Sequence, residues 1–167
     1  MLLAAITLVV FAIDQGSKFL IIANLQENQI VPVIGELLQF HYVKNSGAAF
    51  SLLSGSTWVF AIAASVVTVV IILFARRIRS LGWATVFGLL LGGTTGNLYD
   101  RLFREPGFGV GHVIDFFQVY LFPAIFNVAD IGITSAMALF IILTLPGVGF
   151  DGTRAPRKAA TEAVEAE

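Results

Sequence analysis

The sequence predicts a membrane all-α bundle of four transmembrane helices, with a small extracytoplasmic β-sheet in the first outer loop. The 167-residue chain is 57% hydrophobic and only 13% charged, whereas about a quarter of a soluble domain is charged. Four apolar segments are long enough to cross a bilayer, which takes about 20 helical residues. Residues 38–43 alternate apolar and polar side chains, which is typical of a strand.

The elements follow from the apolar runs in chain order. Together with their loops, the helices form a single domain over residues 1–150. Residues 48–53 could add a short interfacial helix, and residues 151–167 form a cytoplasmic, disordered tail rich in Ala and Glu. The four predicted helices occupy residues 2–23, 58–75, 81–99 and 124–145.

Basic side chains predict the orientation, because short cytoplasmic loops carry an excess of Lys and Arg. They cluster between the second and third helices and after the fourth: Arg76, Arg77, Arg79, Arg154, Arg157 and Lys158. A multi-pass protein with cytoplasmic N- and C-termini follows. The loops at residues 24–57 and 100–123 then face outward.

The composition of the chain argues against several classes of functional site. A net charge of −1 gives no reason to expect nucleic acid. The chain has no cysteine, so thiolate metal sites and cysteine nucleophiles are excluded, and His41 and His112 are too few for a histidine-rich metal site. We therefore expect no metal and no cofactor.

Two acids beside long apolar runs, Asp115 and Asp130, are the candidate reactive groups. An ionised carboxylate near membrane depth is costly and therefore indicates function. Only 14 residues lie between them, so the chain can bring them together to share a proton and activate water. Asn127, Asp130 and Thr134 form a polar stripe about two turns inside the fourth helix. Structural caps and a proton relay remain open as alternatives.

Other polar residues share helix faces with one another. Asp14 and Lys18 are four apart, so they form an internal ion pair with Lys18 reaching toward the headgroups, or they bind substrate. Asn97 and Arg101 share a face in the same way. Arg101 pairs with Asp100 or reaches toward the headgroups, or else it holds a substrate carbonyl or a phosphate-type headgroup.

A stripe of small residues marks the third helix. Gly88, Gly92 and Gly96 recur every four residues. This spacing lets two helix backbones approach closely, so it predicts packing rather than chemistry.

Five ordered motifs resemble those of a bacterial membrane protein family, the lipoprotein signal peptidases or signal peptidases II. Thr94, in the third motif, stands where the family often has alanine. The motifs occupy residues 14–18, 45–50, 92–101, 113–116 and 126–130.

The resemblance implies an aspartyl protease of the bacterial cytoplasmic (inner) membrane, without a metal, whose active site lies near the extracytoplasmic face beside a β-cradle. Such enzymes remove signal peptides from prolipoproteins, cutting before a diacylglyceryl-modified cysteine. The matched motifs make Asp115 and Asp130 the catalytic pair. They also imply supporting or substrate-binding roles for Asp14, Lys18, Asn45, Gly47, Asn97, Arg101 and Asn127.

The expected partners are lipid-modified prolipoprotein signal peptides, membrane lipid and a globomycin-type cyclic peptide inhibitor, and we expect a monomer. Two non-enzymatic alternatives use the same acids: a transporter or proton-relay subunit, and a lipoprotein-binding or sorting factor. A third alternative is a serine–lysine peptidase based on Ser46 and Lys44. The other serine–lysine pair, Ser17 and Lys18, is disfavoured because adjacent residues on a helix do not face each other.

Overall fold

The computed structural model describes residues 1–47 and 57–154, and within these ranges it contains four α-helices and three strands. In chain order they are α1 (Leu2–Asn24), β1 (Ile30–Ile34), β2 (Leu38–Asn45), α2 (Thr57–Phe74), α3 (Leu81–Phe103), β3 (Val113–Val119) and α4 (Val128–Thr144). A short 3₁₀ turn, Ala75–Arg77, extends α2.

Helix α3 lies at the centre of the bundle and packs against α1, α2 and α4. Its glycine stripe faces α1. A Cβ atom added at Gly88 would lie 2.9 Å from Cβ of Ile6, and one added at Gly92 would lie 2.7 Å from Cβ of Val10. The predicted packing role of the stripe is confirmed, because any larger side chain there would push the two helices apart.

The three strands form one antiparallel sheet in the order β1-β2-β3. Strand β2 contains the alternating segment and pairs with β1 on one side and β3 on the other. The predicted sheet is confirmed, but its placement wholly in the first outer loop is wrong. Strand β3 comes from the segment between α3 and α4 and covers the second edge of β2, which would otherwise lie unpaired.

The fourth helix begins four residues later than predicted, at Val128 instead of residue 124. Phe126 instead pairs with β3, where the N–H of Phe126 donates to the carbonyl of Phe117 at 3.0 Å. Asp130 therefore lies in the first turn of α4, and the expectation that it lies two turns inside the helix is wrong. An apolar run alone does not distinguish a helix start from a buried extended segment.

The outer surfaces of the helices are apolar and the centre of the bundle is polar. Within the described residues, Leu2–Asn24 and Thr57–Arg77 are long and apolar enough to cross a membrane, and Val128–Thr144 is a shorter apolar helix. Large exposed side chains include Leu8, Phe19, Val66, Leu73, Ile141 and Ile142. An apolar surface of this extent favours lipid over water, which supports a membrane protein.

The segment after α4 packs over the end of the bundle where α2 connects to α3. The carbonyl of Phe150 accepts the backbone N–H groups of Arg79 and Ser80, at 3.0 and 2.9 Å. The indole N–H of Trp83 donates to the carbonyl of Val148 at 2.9 Å. Most of the predicted tail, residues 155–167, and the helix predicted at 48–53 lie outside the described residues.

Candidate active site

Asp115 and Asp130 reach one cavity from two different elements. Asp115 lies in β3, and Asp130 lies in the first turn of α4. The cavity has a volume of about 430 Å³, and its wall is mostly apolar apart from the two acids and a few small polar side chains. Besides the two acids it is lined by Asn45, Phe122, Ala124, Ile125, Phe126, Ile131, Thr134 and Ser135.

Asp115 is buried and accepts one hydrogen bond on each oxygen. The side-chain nitrogen of Asn45 donates to one oxygen at 2.8 Å, and that of Asn127 donates to the other at 2.6 Å. Burial and, to a smaller extent, the negative charge of Asp130 raise the pKa of Asp115 to about 7, although the two amide donors oppose the rise. Asp115 can therefore hold a proton near neutral pH.

Asp130 is held by the start of its own helix. Asn127 caps α4: its side-chain oxygen accepts the backbone N–H of Asp130 at 3.1 Å, and Asp130 accepts the backbone N–H of Asn127 at 3.1 Å. This reciprocal pair is a capping box. The other oxygen of Asp130 accepts the side-chain nitrogen of Asn97 at 2.9 Å, so both of its oxygens also have a donor.

Asn97 and Asn127 link the two acids. The side-chain nitrogen of Asn127 donates to Asn97 Oδ1 at 3.1 Å as well as to Asp115. A continuous chain of hydrogen bonds therefore runs from Asp115 through the two amides to Asp130.

Behind the acids, Lys18 is fully buried in an ion cluster. Its ammonium contacts Asp14 at 2.8 Å and Asp100 at 2.7 Å. The predicted pair with Asp14 is confirmed, but the expectation that Lys18 reaches toward the headgroups is wrong, because two carboxylates hold it inside the bundle. Asp100 also pairs with Arg104 at 2.6 Å, so the alternative in which Arg101 pairs with Asp100 is wrong.

Asp14 joins this cluster to the site. One of its oxygens accepts the backbone N–H of Ala129, in the first turn of α4, at 2.9 Å. An anion at a helix N-terminus is favourable, because it satisfies a free N–H and opposes the helix dipole. Asp14 thereby fixes the end of α4 that carries Asp130.

Arg101 lies close to the acids without pairing with one of them at contact distance. Its guanidinium donates to the backbone carbonyl of Asn97 at 3.2 Å and lies 5.6 Å from the ring centre of Phe60. Asp115 and Asp130 are both near enough for their charges to act on it.

Gly47 holds Asn45 in place. Its φ of 94° is a left-handed conformation that favours glycine, and an added Cβ atom would lie 2.7 Å from the ring of Phe60. Its backbone N–H donates to the side-chain oxygen of Asn45 at 2.8 Å. The rest of this motif, residues 48–50, lies outside the described residues.

Sequence reasoning missed three members of the site's support: Gln15, Asp100 and Arg104. The side-chain nitrogen of Gln15 donates to Asp14 at 3.0 Å and to Asp100 at 3.2 Å. Arg104 completes the cluster by contacting both Asp100 and the side-chain oxygen of Gln15. The spacing of four between Asp100 and Arg104 was the available signal.

The geometry argues against a serine–lysine site. Lys44 contacts Glu27 at 3.5 Å and Glu105 at 3.2 Å, and the hydrogen bond to Glu105 raises the pKa of Lys44. A lysine with a raised pKa is a poor general base. Ser17 donates to the backbone carbonyl of Asp14 at 2.8 Å.

No group of three His, Cys, Asp or Glu side chains that could hold a metal ion occurs within residues 1–47 and 57–154. The candidate reactive groups are two carboxylates at an apolar cavity, and each accepts hydrogen bonds from amide or backbone donors. The fold and the site define the class, an aspartic-type enzyme built on apolar helices.

The family follows from comparison with known proteins. Residues 6–146 match the family model described as signal peptidase (SPase) II. The chain is 58% identical to the lipoprotein signal peptidase of Leifsonia xyli over 92% of this chain and 71% of that protein. It is 44% identical to the lipoprotein signal peptidase of Rhodococcus jostii over 92% and 77% of the two chains. The chain belongs to the signal peptidase II family, as the motifs predicted.

Two solved structures of bacterial membrane enzymes resemble this chain over most of its length. A bacterial membrane enzyme determined by the in meso method at 2.3 Å resolution superposes with a TM-score of 0.76 at 26% identity, over 92% of this chain and 93% of that one. A second bacterial membrane enzyme, at 1.9 Å resolution, has a TM-score of 0.74 at 30% identity, over 84% and 90%.

Proposed function

We propose that this protein removes signal peptides from prolipoproteins, with Asp115 and Asp130 as its catalytic pair. The observation that carries the proposal is that both carboxylates line one apolar cavity in a chain of the signal peptidase II family. The relatives named lipoprotein signal peptidase supply the reaction. No metal or cofactor takes part in the proposed mechanism.

The two acids take different roles in the mechanism. Two close carboxylates do not both ionise readily, so one keeps a proton. We assign the proton to Asp115, because burial raises its pKa to about 7, and we assign the role of general base to Asp130. Asp130 takes a proton from a water molecule, and the water attacks the scissile carbonyl carbon while Asp115 protonates the carbonyl oxygen. Collapse of the tetrahedral intermediate then transfers a proton to the leaving amine.

The supporting residues divide into two groups. Asn97 and Asn127 use their side-chain donors on the acids, so we assign them to the acids and not to the substrate backbone. Arg101, whose charge lies near both acids, is our candidate for holding a substrate carbonyl group. Asp14 and Lys18 support the site from behind.

The substrate we propose carries a diacylglyceryl-modified cysteine, and cleavage falls just before it. The apolar wall of the cavity, which includes Phe126 and Ile131, suits a signal peptide arriving from the bilayer. Acyl chains already in lipid gain little by moving to protein, so lipid recognition acts mainly by fixing the depth of the scissile bond. A globomycin-type cyclic peptide is the inhibitor we expect at this cavity, and we expect the enzyme to work as a monomer.

We propose four membrane spans in the bacterial cytoplasmic membrane, with both chain ends in the cytoplasm and the acids near the outer face. The arginines between α2 and α3 support this orientation. The sheet and the N-terminus of α4 would then form the β-cradle at the outer surface.

The test is cleavage of a diacylglyceryl-modified prolipoprotein by purified enzyme. We expect Asp115→Asn and Asp130→Asn each to lower kcat at least about 100-fold, because each removes one member of a general acid–base pair. The unmodified precursor should be spared. Lys44→Gln serves as the matched control, since Lys44 pairs with Glu27 and Glu105 and contacts neither acid.

Near-full activity of either aspartate variant would contradict the catalytic assignment. Thermal unfolding of each variant shows whether a loss of activity reflects chemistry or a loss of fold.

A further inference from the structure

Each asparagine that donates to a catalytic acid has its side-chain oxygen held by a separate donor. A carboxamide has one donating end and one accepting end of nearly equal size, so a half-turn exchanges them. The donors that hold these oxygens are the backbone N–H of Gly47 for Asn45 at 2.8 Å, the backbone N–H of Asp130 for Asn127 at 3.1 Å, and the Lys18 ammonium for Asn97 at 3.0 Å.

The oxygen of Asn97 differs from the other two, because side chains hold it: the Lys18 ammonium at 3.0 Å and the side-chain nitrogen of Asn127 at 3.1 Å. An ammonium has three donors and no acceptor, so Lys18 binds only the oxygen end of Asn97. The nitrogen end is thereby turned toward Asp130, to which it donates at 2.9 Å. After a half-turn, the oxygen of Asn97 would face the Asp130 carboxylate and repel its ionised form.

Lys18 is itself fixed in place. Its three N–H donors match three acceptors, Asp14 at 2.8 Å, Asp100 at 2.7 Å and Asn97 at 3.0 Å. The side chain is fully buried, and Arg104 offsets the second carboxylate through its contact with Asp100. The ammonium therefore has one geometry, and one of its three bonds is directed at the amide that serves the site.

We propose that Lys18 is a positioning residue for the catalytic pair: by holding the side-chain oxygen of Asn97, it keeps the nitrogen of Asn97 donating to Asp130, and so keeps Asp130 placed to accept the proton of the attacking water. This rests on the catalytic roles proposed above for the two aspartates.

Other charges near the catalytic pair must be separated from this effect. They come from α1, α3 and β3, whereas α2 has no ionisable side chain. Arg101 on α3 and Asp115 on β3 interact with Asp130 through their charges. The cluster behind the acids adds Asp14 and Lys18 on α1, Asp100 on α3, and Arg104, which follows α3. Removing Lys18 removes a direct charge as well as the contact with Asn97, so a single variant does not distinguish the two effects.

A double-mutant cycle makes the distinction. The pH profile of kcat is measured for wild type, Lys18→Met, Asn97→Ser and the double variant. We expect Lys18→Met to move the acidic limb to higher pH by about one unit. Asn97 is then held by Asn127 alone, so its nitrogen turns away from Asp130 more readily, and a carboxylate that loses a donor is protonated more easily. In the Asn97→Ser background there is no amide to orient, so adding Lys18→Met should move the limb by less than about a third of a unit.

Equal shifts in the two backgrounds would overturn the proposal, because Lys18 would then act through its charge alone. An unmoved limb in Lys18→Met would overturn it as well. Arg104→Met is the matched control: it removes the other cation that contacts Asp100 and does not contact Asn97, so it should lower the unfolding temperature without moving the limb.

A measurement on the wild-type protein keeps the proposal testable if Lys18→Met does not fold. The side-chain nitrogen of Asn97 is observed by NMR in protein labelled at asparagine, and Asn97→Ser identifies its signal. A chemical shift that follows the acidic limb of activity is expected, since this nitrogen contacts Asp130. A signal that does not respond across the limb would contradict the orientation.

The failures of the two proposals are distinguishable. If Asp115→Asn and Asp130→Asn stay active, the proposed function fails. If both are inactive and the Lys18–Asn97 cycle is additive, only the positioning role of Lys18 fails.

Discussion

At the scale of single residues, the two acids differ in environment although they share a cavity. Asp115 is buried within a strand, whereas Asp130 is partly exposed in the first turn of a helix. Burial penalises the charged form of Asp115, and amide donors partly offset the penalty. Paired acids in unlike environments are suited to opposite roles, one as acid and one as base.

Asn45 gives a test of the proton on Asp115. Its hydrogen bond favours the ionised carboxylate, so Asn45→Ala should raise the pKa of Asp115 further. In the proposed mechanism Asp115 is the acid, so activity should be lost as the pH rises through its pKa of about 7. The basic limb of kcat should therefore move upward by about one pH unit in Asn45→Ala.

The position of the limb is the readout, since Asn45 also lines the cavity and its loss can change the height of the profile. Lys44→Gln, one residue earlier in β2, should leave the limb in place. A limb that moves to lower pH in Asn45→Ala would mean that Asp115 is not the acid.

Residue spacing along the chain predicted only part of this site. It paired Asp14 with Lys18, because both lie on one helix face, and the motifs singled out both catalytic candidates. It could not show Asp100 from α3 meeting Lys18 from α1, because that contact depends on how closely two helices pack. Because this contact with Asp100 could not be predicted, the sequence indicated that Lys18 reaches toward the lipid headgroups.

At the scale of elements, the start of α4 carries most of the site. Asn127 caps the helix, supplies a donor to Asp115 and receives the N–H of Asp130. The sequence pattern placed the start too early, because residues 124–126 are as apolar as the helix itself. Phe126 instead forms a bridge with Phe117 of β3, which holds β3, the strand of Asp115, beside the start of α4.

The α1–α3 contact gives a test at this scale. Gly92→Ala would place a Cβ atom 2.7 Å from Cβ of Val10 and 3.0 Å from the backbone carbonyl of Thr7. We expect it to lower the free energy of unfolding by about 1–3 kcal/mol, as overpacking does. Unfolding in detergent, followed by circular dichroism, measures the change.

Gly16→Ala is the matched control, because an added Cβ atom there meets no atom within 4 Å. It makes the same substitution in a helix and should be neutral, or stabilising by up to about 1 kcal/mol. Equal effects of the two variants would show that close approach of α1 and α3 is not what the glycine stripe provides.

At the scale of the whole molecule, the helix surfaces are apolar and the centre of the bundle is charged. Composition predicted the membrane class, because low overall charge needs no knowledge of the fold. It could not predict that the sheet draws its third strand from the second outer segment, since strand pairing joins residues far apart in sequence, such as Val43 and Asp115.

Orientation can be tested with single cysteines, because the natural chain has none. We expect Glu36→Cys to react with a membrane-impermeant maleimide in intact spheroplasts. Arg76→Cys and Asp151→Cys should react only after the membrane is permeabilised. All three positions are exposed on the protein surface, so the pattern reports the side of the membrane, and the reverse pattern would contradict the proposed topology.

The ion cluster also bears on how such a chain is inserted into a bilayer. Asp14 and Lys18 are an i,i+4 pair within α1, and Asp100 of α3 forms an i,i+4 pair with Arg104, the residue that follows the helix. Lys18 and Asp100 thus each have a counter-ion from their own segment, and neither needs the neighbouring helix for this during synthesis, when an unpaired charge in hydrocarbon would be costly. When the helices later associate, Lys18 gains Asp100 as a second partner. This contact forms only if α1 and α3 pack in the correct register, so completion of the ion cluster depends on correct helix association.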